Sequence, residues 1–115
     1  IKVHMIELDE TNRDEAMAAI TEADAVLFGS PTFLGDLLDP IGELLAALYP
    51  FVLKGKLCSA FGSYGWTGEA VPNIMARLEQ LKVKTVEGVR ARLRPNAEEL
   101  AAARALGQQI VNGIQ

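Results

Sequence analysis

A chain of 115 residues, half of them hydrophobic and 23% charged, is one domain's worth of globular protein with enough apolar mass for a real core. A net charge of −4 with scattered lysines and arginines argues against a nucleic-acid face or an anionic membrane surface, and no stretch reaches the ~20 apolar residues of a membrane span. One cysteine, Cys58, and one histidine, His4, rule out an intrachain disulfide and a Cys- or His-rich metal site, and the expected compartment is the reducing cytoplasm.

The first apolar pattern, Lys2 to Leu8, alternates with hydrophobic residues on both faces, which predicts a strand covered on two sides. Asp9 to Arg13 is turn material, and Thr11 with Asp14 three residues later predicts a capping-box start to a short helix facing inward through Ala16, Ala19 and Ile20. Ala25 to Phe28 is a compact strand cut off by Gly29-Ser30-Pro31-Thr32. Asp39-Pro40 predicts an N-cap and first helical position, with Ile41, Leu44, Leu45 and Leu48 at helical spacing before Pro50. Lys54-Gly55-Lys56 turns into a strand from Leu57 to Phe61, which is expected to bury Cys58 as an inert thiol.

That strand empties into Gly62-Ser63-Tyr64-Gly65-Trp66-Thr67-Gly68, a loop of three glycines, hydroxyls and two aromatics. Val71, Ile74, Met75, Leu78 and Leu81 then mark the clearest amphipathic helix, with Thr67 as its expected cap. Thr85 to Leu93 predicts a strand in which Val89, Ala91 and Leu93 alternate with Arg90 and Arg92. Pro95-Asn96 opens a last helix, with Glu99 three residues after the cap and Leu100, Ala103, Leu106, Ile110 and Ile114 as its stripe. The string βαβαβαβα predicts one three-layer α/β domain over residues 1–115, with parallel strands and helices on both faces.

Two strand ends are chemically loaded. Phe28-Gly29-Ser30-Pro31-Thr32-Phe33 and Phe61-Gly62-Ser63-Tyr64-Gly65-Trp66 are near-parallel constructions, and a parallel sheet delivers both loops to one edge, facing each other across a groove. Hydroxyls and free backbone N–H groups there suit the carbonyls and ring nitrogens of a flat heteroaromatic, with Trp66 and Phe33 against its faces. The bland alternative is a plain turn with Trp66 as a packing anchor. No Gly-x-Ser-x-Gly elbow, Walker loop or Gly-x-Gly-x-x-Gly occurs, and the carboxylates Asp36, Asp39, Glu43 and Glu69 are explained by caps and helix N-terminal charge. The residues point to cofactor binding, not to nucleophilic or acid–base catalysis.

With Ala25 to Thr32 and Ala60 to Ala70 in view, the chain resembles the flavodoxin-like domain of the flavodiiron proteins (A-type flavoproteins), over essentially its whole length; Gly62-Ser63-Tyr64-Gly65-Trp66 is the specific motif, and Arg94-Pro95 fits too. The resemblance implies noncovalent FMN with its isoalloxazine between the loops: Ser30, Pro31, Thr32, Phe33 and Gly35 on one side, Ser63, Tyr64, Gly65, Trp66 and Gly68 on the other. Relatives often carry Asn where this chain has Phe33-Leu34-Gly35-Asp36, so contacts by backbone are expected there. Such domains begin with a strand and a Ser/Thr-rich phosphate loop, and this chain opens at what would be the second strand; an N-terminally truncated or processed domain is therefore expected, with a strand from a second copy, and hence a homo-oligomer, as one candidate filler.

The role implied is an electron-transfer domain passing electrons from a redox donor protein through FMN to a metallo-β-lactamase-like diiron domain or subunit that reduces oxygen or nitric oxide. None of that partner's metal ligands is present, so the chain alone is not a complete enzyme. The alternatives are a flavin-dependent quinone-type reductase and a cofactor-free flavodoxin-fold binding or assembly module.

Overall fold

The computed structural model describes residues 2–32 and 34–114. Its elements run α1 (Arg13–Glu22), β1 (Ala25–Gly29), α2 (Asp39–Ala47), α3 (Pro50–Leu53), β2 (Leu57–Tyr64), α4 (Ala70–Gln80), β3 (Lys84–Thr85), β4 (Val89–Arg92) and α5 (Ala97–Ile114). β2 is the hub. It pairs in parallel with β1 on one side, from Ala25 opposite Leu57 to Gly29 opposite Phe61, and with both β3 and β4 on the other. The parallel α/β architecture expected from the alternation of patterns is therefore present.

Helices cover both faces. Phe28, Cys58, Ala60 and the buried stripe of α4 (Val71, Ile74, Leu78) pack with Ile20, Leu44, Leu45 and Leu53 into the larger core. Leu57, Leu106 and Ile110 form a second cluster where α5 lies on the sheet. The thiol of Cys58 is buried in the larger core and pushed up to about 11, chiefly because burial penalises the thiolate, so it is an unreactive core group as expected.

Several sequence expectations change. Lys2–Leu8 forms no strand: these residues enter no ladder, and an extended segment becomes a β-strand only by hydrogen bonding to a neighbour. Ile6 and Leu8 still pack against the main core. The turn that follows is built on Asp9 and not on a Thr11–Asp14 box. Asp9 Oδ1 accepts from Thr11 N and Oγ1 at 2.7 Å each, Asn12 occupies the N-cap, and the Thr11 bonds hold the Asp9 carboxyl below its ordinary range. α2 begins one residue early, with Leu38 at the N-cap and Asp39 inside the first turn.

The single strand expected at Thr85–Leu93 is two short ones, separated at Val86–Gly88, where Ser59 Oγ donates to Val86 O at 2.7 Å. A Cβ on Gly88 would lie 2.7 Å from Val71 Cγ1 and 2.9 Å from Ala60 O, so the jog passes tightly over the core. In α5 the capping box is present: Glu99 N donates to Asn96 Oδ1 at 2.8 Å and Asn96 N to Glu99 Oε1 at 3.1 Å. Its expected stripe buries Leu106 and Ile110 but leaves Leu100 and Ala103 exposed.

Leu78 is wholly inaccessible in the middle of the α4 stripe. Leu78→Ala is expected to lower unfolding free energy by about 2–5 kcal/mol in urea titrations, with fold and m-value retained.

Candidate functional site

The two loaded loops leave the same edge of the sheet, at the C-terminal ends of β1 and β2, because the strands are parallel neighbours. They are joined at their bases. β2 runs on through Gly62, Ser63 and Tyr64, paired with β4, so the expected end at Phe61 falls three residues short. Past the end of β1 the ladder continues as Ser30 N donating to Phe61 O at 3.1 Å and Thr32 N donating to Ser63 O at 2.9 Å. This approach needs a glycine opposite: a Cβ on Gly62 would sit 2.0 Å from Ser30 O.

Side chains complete the first loop. Ser30 is buried; its hydroxyl donates to Pro31 O and accepts from Leu38 N at 2.9 Å, fastening the loop to the start of α2. Thr32 reaches the other way, its Oγ1 accepting from Ala70 N at 3.1 Å. The first N–H of α4 is thus satisfied across the loops by Thr32 and not by Thr67, while the N-cap, Glu69, makes no side-chain cap bond. Asp36 Oδ1 accepts from Asn73 Nδ2 at 2.8 Å and from Leu37 N at 2.7 Å, and these two bonds lower its pKa from the ordinary 3.8.

Thus Ser30 and Thr32 are bonded to Phe61 and Ser63, with Pro31 between them, while Gly35 on the first loop and Tyr64, Gly65, Trp66 and Gly68 on the second belong to the segments that leave this edge; Phe33 lies outside the described residues. No groove separates the loops at their bases, and the open surface lies at their tips. There Leu34 is 91% and Trp66 94% exposed, with Leu93 nearby at 69%, where the alternation pattern had placed it inward. Gly35 adopts a left-handed φ of +78° with open space where a Cβ would point, so backbone is approachable there. A Cβ on Gly65 would meet Leu93 Cδ1 at 2.9 Å, and one on Gly68 would meet Arg90 and Tyr64 at 3.2 Å. Glu69 Oε2 is buried with no hydrogen-bond partner among the described residues.

Sequence reading missed Arg90. Its Nη1 donates to Gly68 O at 3.2 Å, and its guanidinium lies 5.9 Å from the Tyr64 ring centroid. Among the described residues no group of three metal-ligating side chains is assembled, and no helix is long and apolar enough to cross a membrane. What the edge offers is a ledge with exposed apolar side chains, Leu34, Trp66 and Leu93, beside loop backbone.

Comparison with known proteins bears on that ledge. The sequence profile of the flavodoxin family matches residues 1–107. A type A flavoprotein of Rhodobacter capsulatus is 41% identical over 115 residues, and a flavo-diiron protein of Clostridium acetobutylicum is 32% identical over 113. The alignments take in 99% and 97% of this chain but 26% and 28% of those proteins, so the chain spans about a quarter of the length of the curated relatives it matches. Among solved structures, a flavodoxin from the domain Archaea superposes with a TM-score of 0.75 at 27% identity, covering 85% of this chain and 70% of that one. Rubredoxin oxygen:oxidoreductase from Desulfovibrio gigas gives a TM-score of 0.80 at 24% identity, covering 89% and 26%, and shares the fold.

Gly62→Ala is expected to cost about 1–3 kcal/mol, because the new methyl must displace the Ser30 backbone. Amide exchange at Ser30 and Thr32 should rise with it, and unchanged exchange at both would contradict the extended ladder. The folded pKa of Asp36 is depressed, so its contribution is present above pH 3.8 and lost as pH falls through the lower folded value. Nuclear magnetic resonance should show the Asn73 side-chain amide shifting over that acid window, and Asp36→Asn should remove the transition.

Proposed function

The chain belongs to the flavodoxin family, and on that premise we propose that its loop ledge holds FMN and that the domain relays electrons to a diiron partner. The observation that carries this is the bonding of Ser30 and Thr32 to Phe61, Ser63 and Ala70 at one edge of a parallel sheet, with Trp66 left exposed.

The residues present fit the ring end of a flavin. An exposed indole offers a stacking face, Gly35 leaves backbone approachable, and Leu93, packed against Gly65, widens the apolar floor beside Tyr64. FMN is the cofactor of this family and, when bound, supplies one- and two-electron carriage near neutral pH. The chain's own work is to bind and orient. Ser30, Pro31, Thr32, Phe33 and Gly35 bound the ring on one side; Ser63, Tyr64, Gly65, Trp66 and Gly68 bound it on the other. Carboxylates at Asp36 and Glu69 place negative charge near the ledge and disfavour an anionic reduced ring.

The partner is inferred from the relatives, whose names include flavo-diiron protein and nitric oxide reductase. In this reading residues 1–115 are the flavodoxin-like domain, a metallo-β-lactamase-like diiron domain or subunit receives the electrons, a redox donor protein supplies them, and the setting is the cytoplasm.

Titrating the purified protein with FMN should produce a bound-flavin absorption band and quench flavin emission. A featureless spectrum and unquenched emission would favour a cofactor-free binding module. Trp66→Ala should weaken FMN by about 1 kcal/mol, roughly fivefold in Kd, and brighten the bound flavin; equal affinity and emission would remove Trp66 from the site.

A further inference from the structure

Register and side-chain geometry together single out one residue of β4. Gly62 is opposite Arg90 and Tyr64 opposite Arg92, so Arg90 projects on the same face as Tyr64, diagonal to it and beside a position with no side chain. The stem of Arg90 therefore crosses toward the second loop. Its guanidinium lies over the Tyr64 ring at 5.9 Å and donates from Nη1 to Gly68 O at 3.2 Å. Gly68 is packed between the two: an added Cβ would stand 3.2 Å from Arg90 Cδ, Arg90 Nη1 and Tyr64 Cδ1 alike. One side chain thus ties the strand end to the last residues of the loop, across the turn that carries Trp66.

Its neighbour is committed elsewhere. Arg92 lies 4.0 Å from the Glu99 carboxylate, and its backbone N–H donates to the same Glu99 oxygen at 2.9 Å, which fastens β4 to the start of α5. Arg90 is the arginine of this strand given over to the ledge. It is also a cation bonded to Gly68, the residue before the carboxylate-bearing Glu69. A planar guanidinium can accept the ring below it and bridge to a carbonyl in one geometry, whereas a lysine ammonium supplies the charge without the fork.

We propose that Arg90 is a positioning residue of the flavin ledge: it holds Tyr64 to Gly68 in the shape presented to the ring and sets a positive charge at the rim that favours the reduced, anionic form. This rests on the FMN reading above. The role is distinct from that of the loop residues, because Arg90 acts through Tyr64 and Gly68.

The test compares Arg90→Gln, Arg90→Lys and Tyr64→Leu in the purified protein, with circular dichroism to verify the fold. Three readouts are taken: FMN affinity, the midpoint potential of bound FMN, and amide exchange over residues 64–69. Arg90→Gln is expected to weaken FMN roughly tenfold, lower the midpoint and speed exchange in the loop but not in β1. Arg90→Lys should recover the midpoint and only part of the affinity; Tyr64→Leu should weaken binding with less effect on the midpoint. If the unaltered protein takes up no FMN, the cofactor reading falls and this role falls with it. If FMN binds the unaltered protein and Arg90→Gln with equal affinity and equal potential, the role alone is overturned.

Discussion

Everything at the candidate site depends on the parallel ladder between β1 and β2 not stopping where β1 stops. Two further bonds, Ser30 N to Phe61 O and Thr32 N to Ser63 O, carry it into the loops. They are possible only because position 62 has no side chain to strike the Ser30 carbonyl. A loop would otherwise need its own packing to hold one conformation. Here the first loop inherits the rigidity of the central strand, and its remaining polar groups are free to reach outward to Leu38 N and Ala70 N. Ordering is placed in backbone hydrogen bonds of the sheet, and the tips carrying Leu34 and Trp66 can stay solvent-exposed without becoming shapeless.

The second loop is held differently, from the opposite flank. Leu93 N, just past β4, donates to the Tyr64 carbonyl, and the Arg90 side chain of β4 donates to the Gly68 carbonyl. β4 is itself anchored twice, by its ladder to β2 and by the Arg92–Glu99 pairing at the start of α5. The capping box of α5 therefore does more than begin a helix. Glu99 accepts from Asn96 N and from Arg92 N, which is why its carboxyl sits below its ordinary range, and the same side chain steadies the strand that supports the ledge.

Local signals were legible where the physics is local. The α4 stripe, the Asn96–Glu99 box, the burial of Cys58 and the parallel α/β order follow from periodicity and spacing within one element. Lys2–Leu8 has the right alternation and no strand, because strand formation needs a partner that alternation cannot report. Thr67 stood at the right distance for a cap, yet the bond comes from Thr32, 38 residues from Ala70. Arg90 and Arg92 looked alike as the polar half of an alternating strand; only the register showed that one serves the ledge and the other α5. Residues were identifiable from spacing where they shape their own turn, and hidden where they act across the sheet.

The Thr32 bond has a further bearing on the order of assembly. A helix whose first amide is capped by a neighbour in sequence can begin as an isolated segment, whereas α4 receives this partner only after β1 and β2 have paired through the whole α2–α3 crossover. Closing so long a chain segment carries a loop-closure entropy cost that a helical turn does not, so the Thr32 cap of α4 is in place only together with the first loop. Binding surface and helix start are then one cooperative unit: neither can be complete in a partly folded chain, and the ledge comes into being only with the finished sheet.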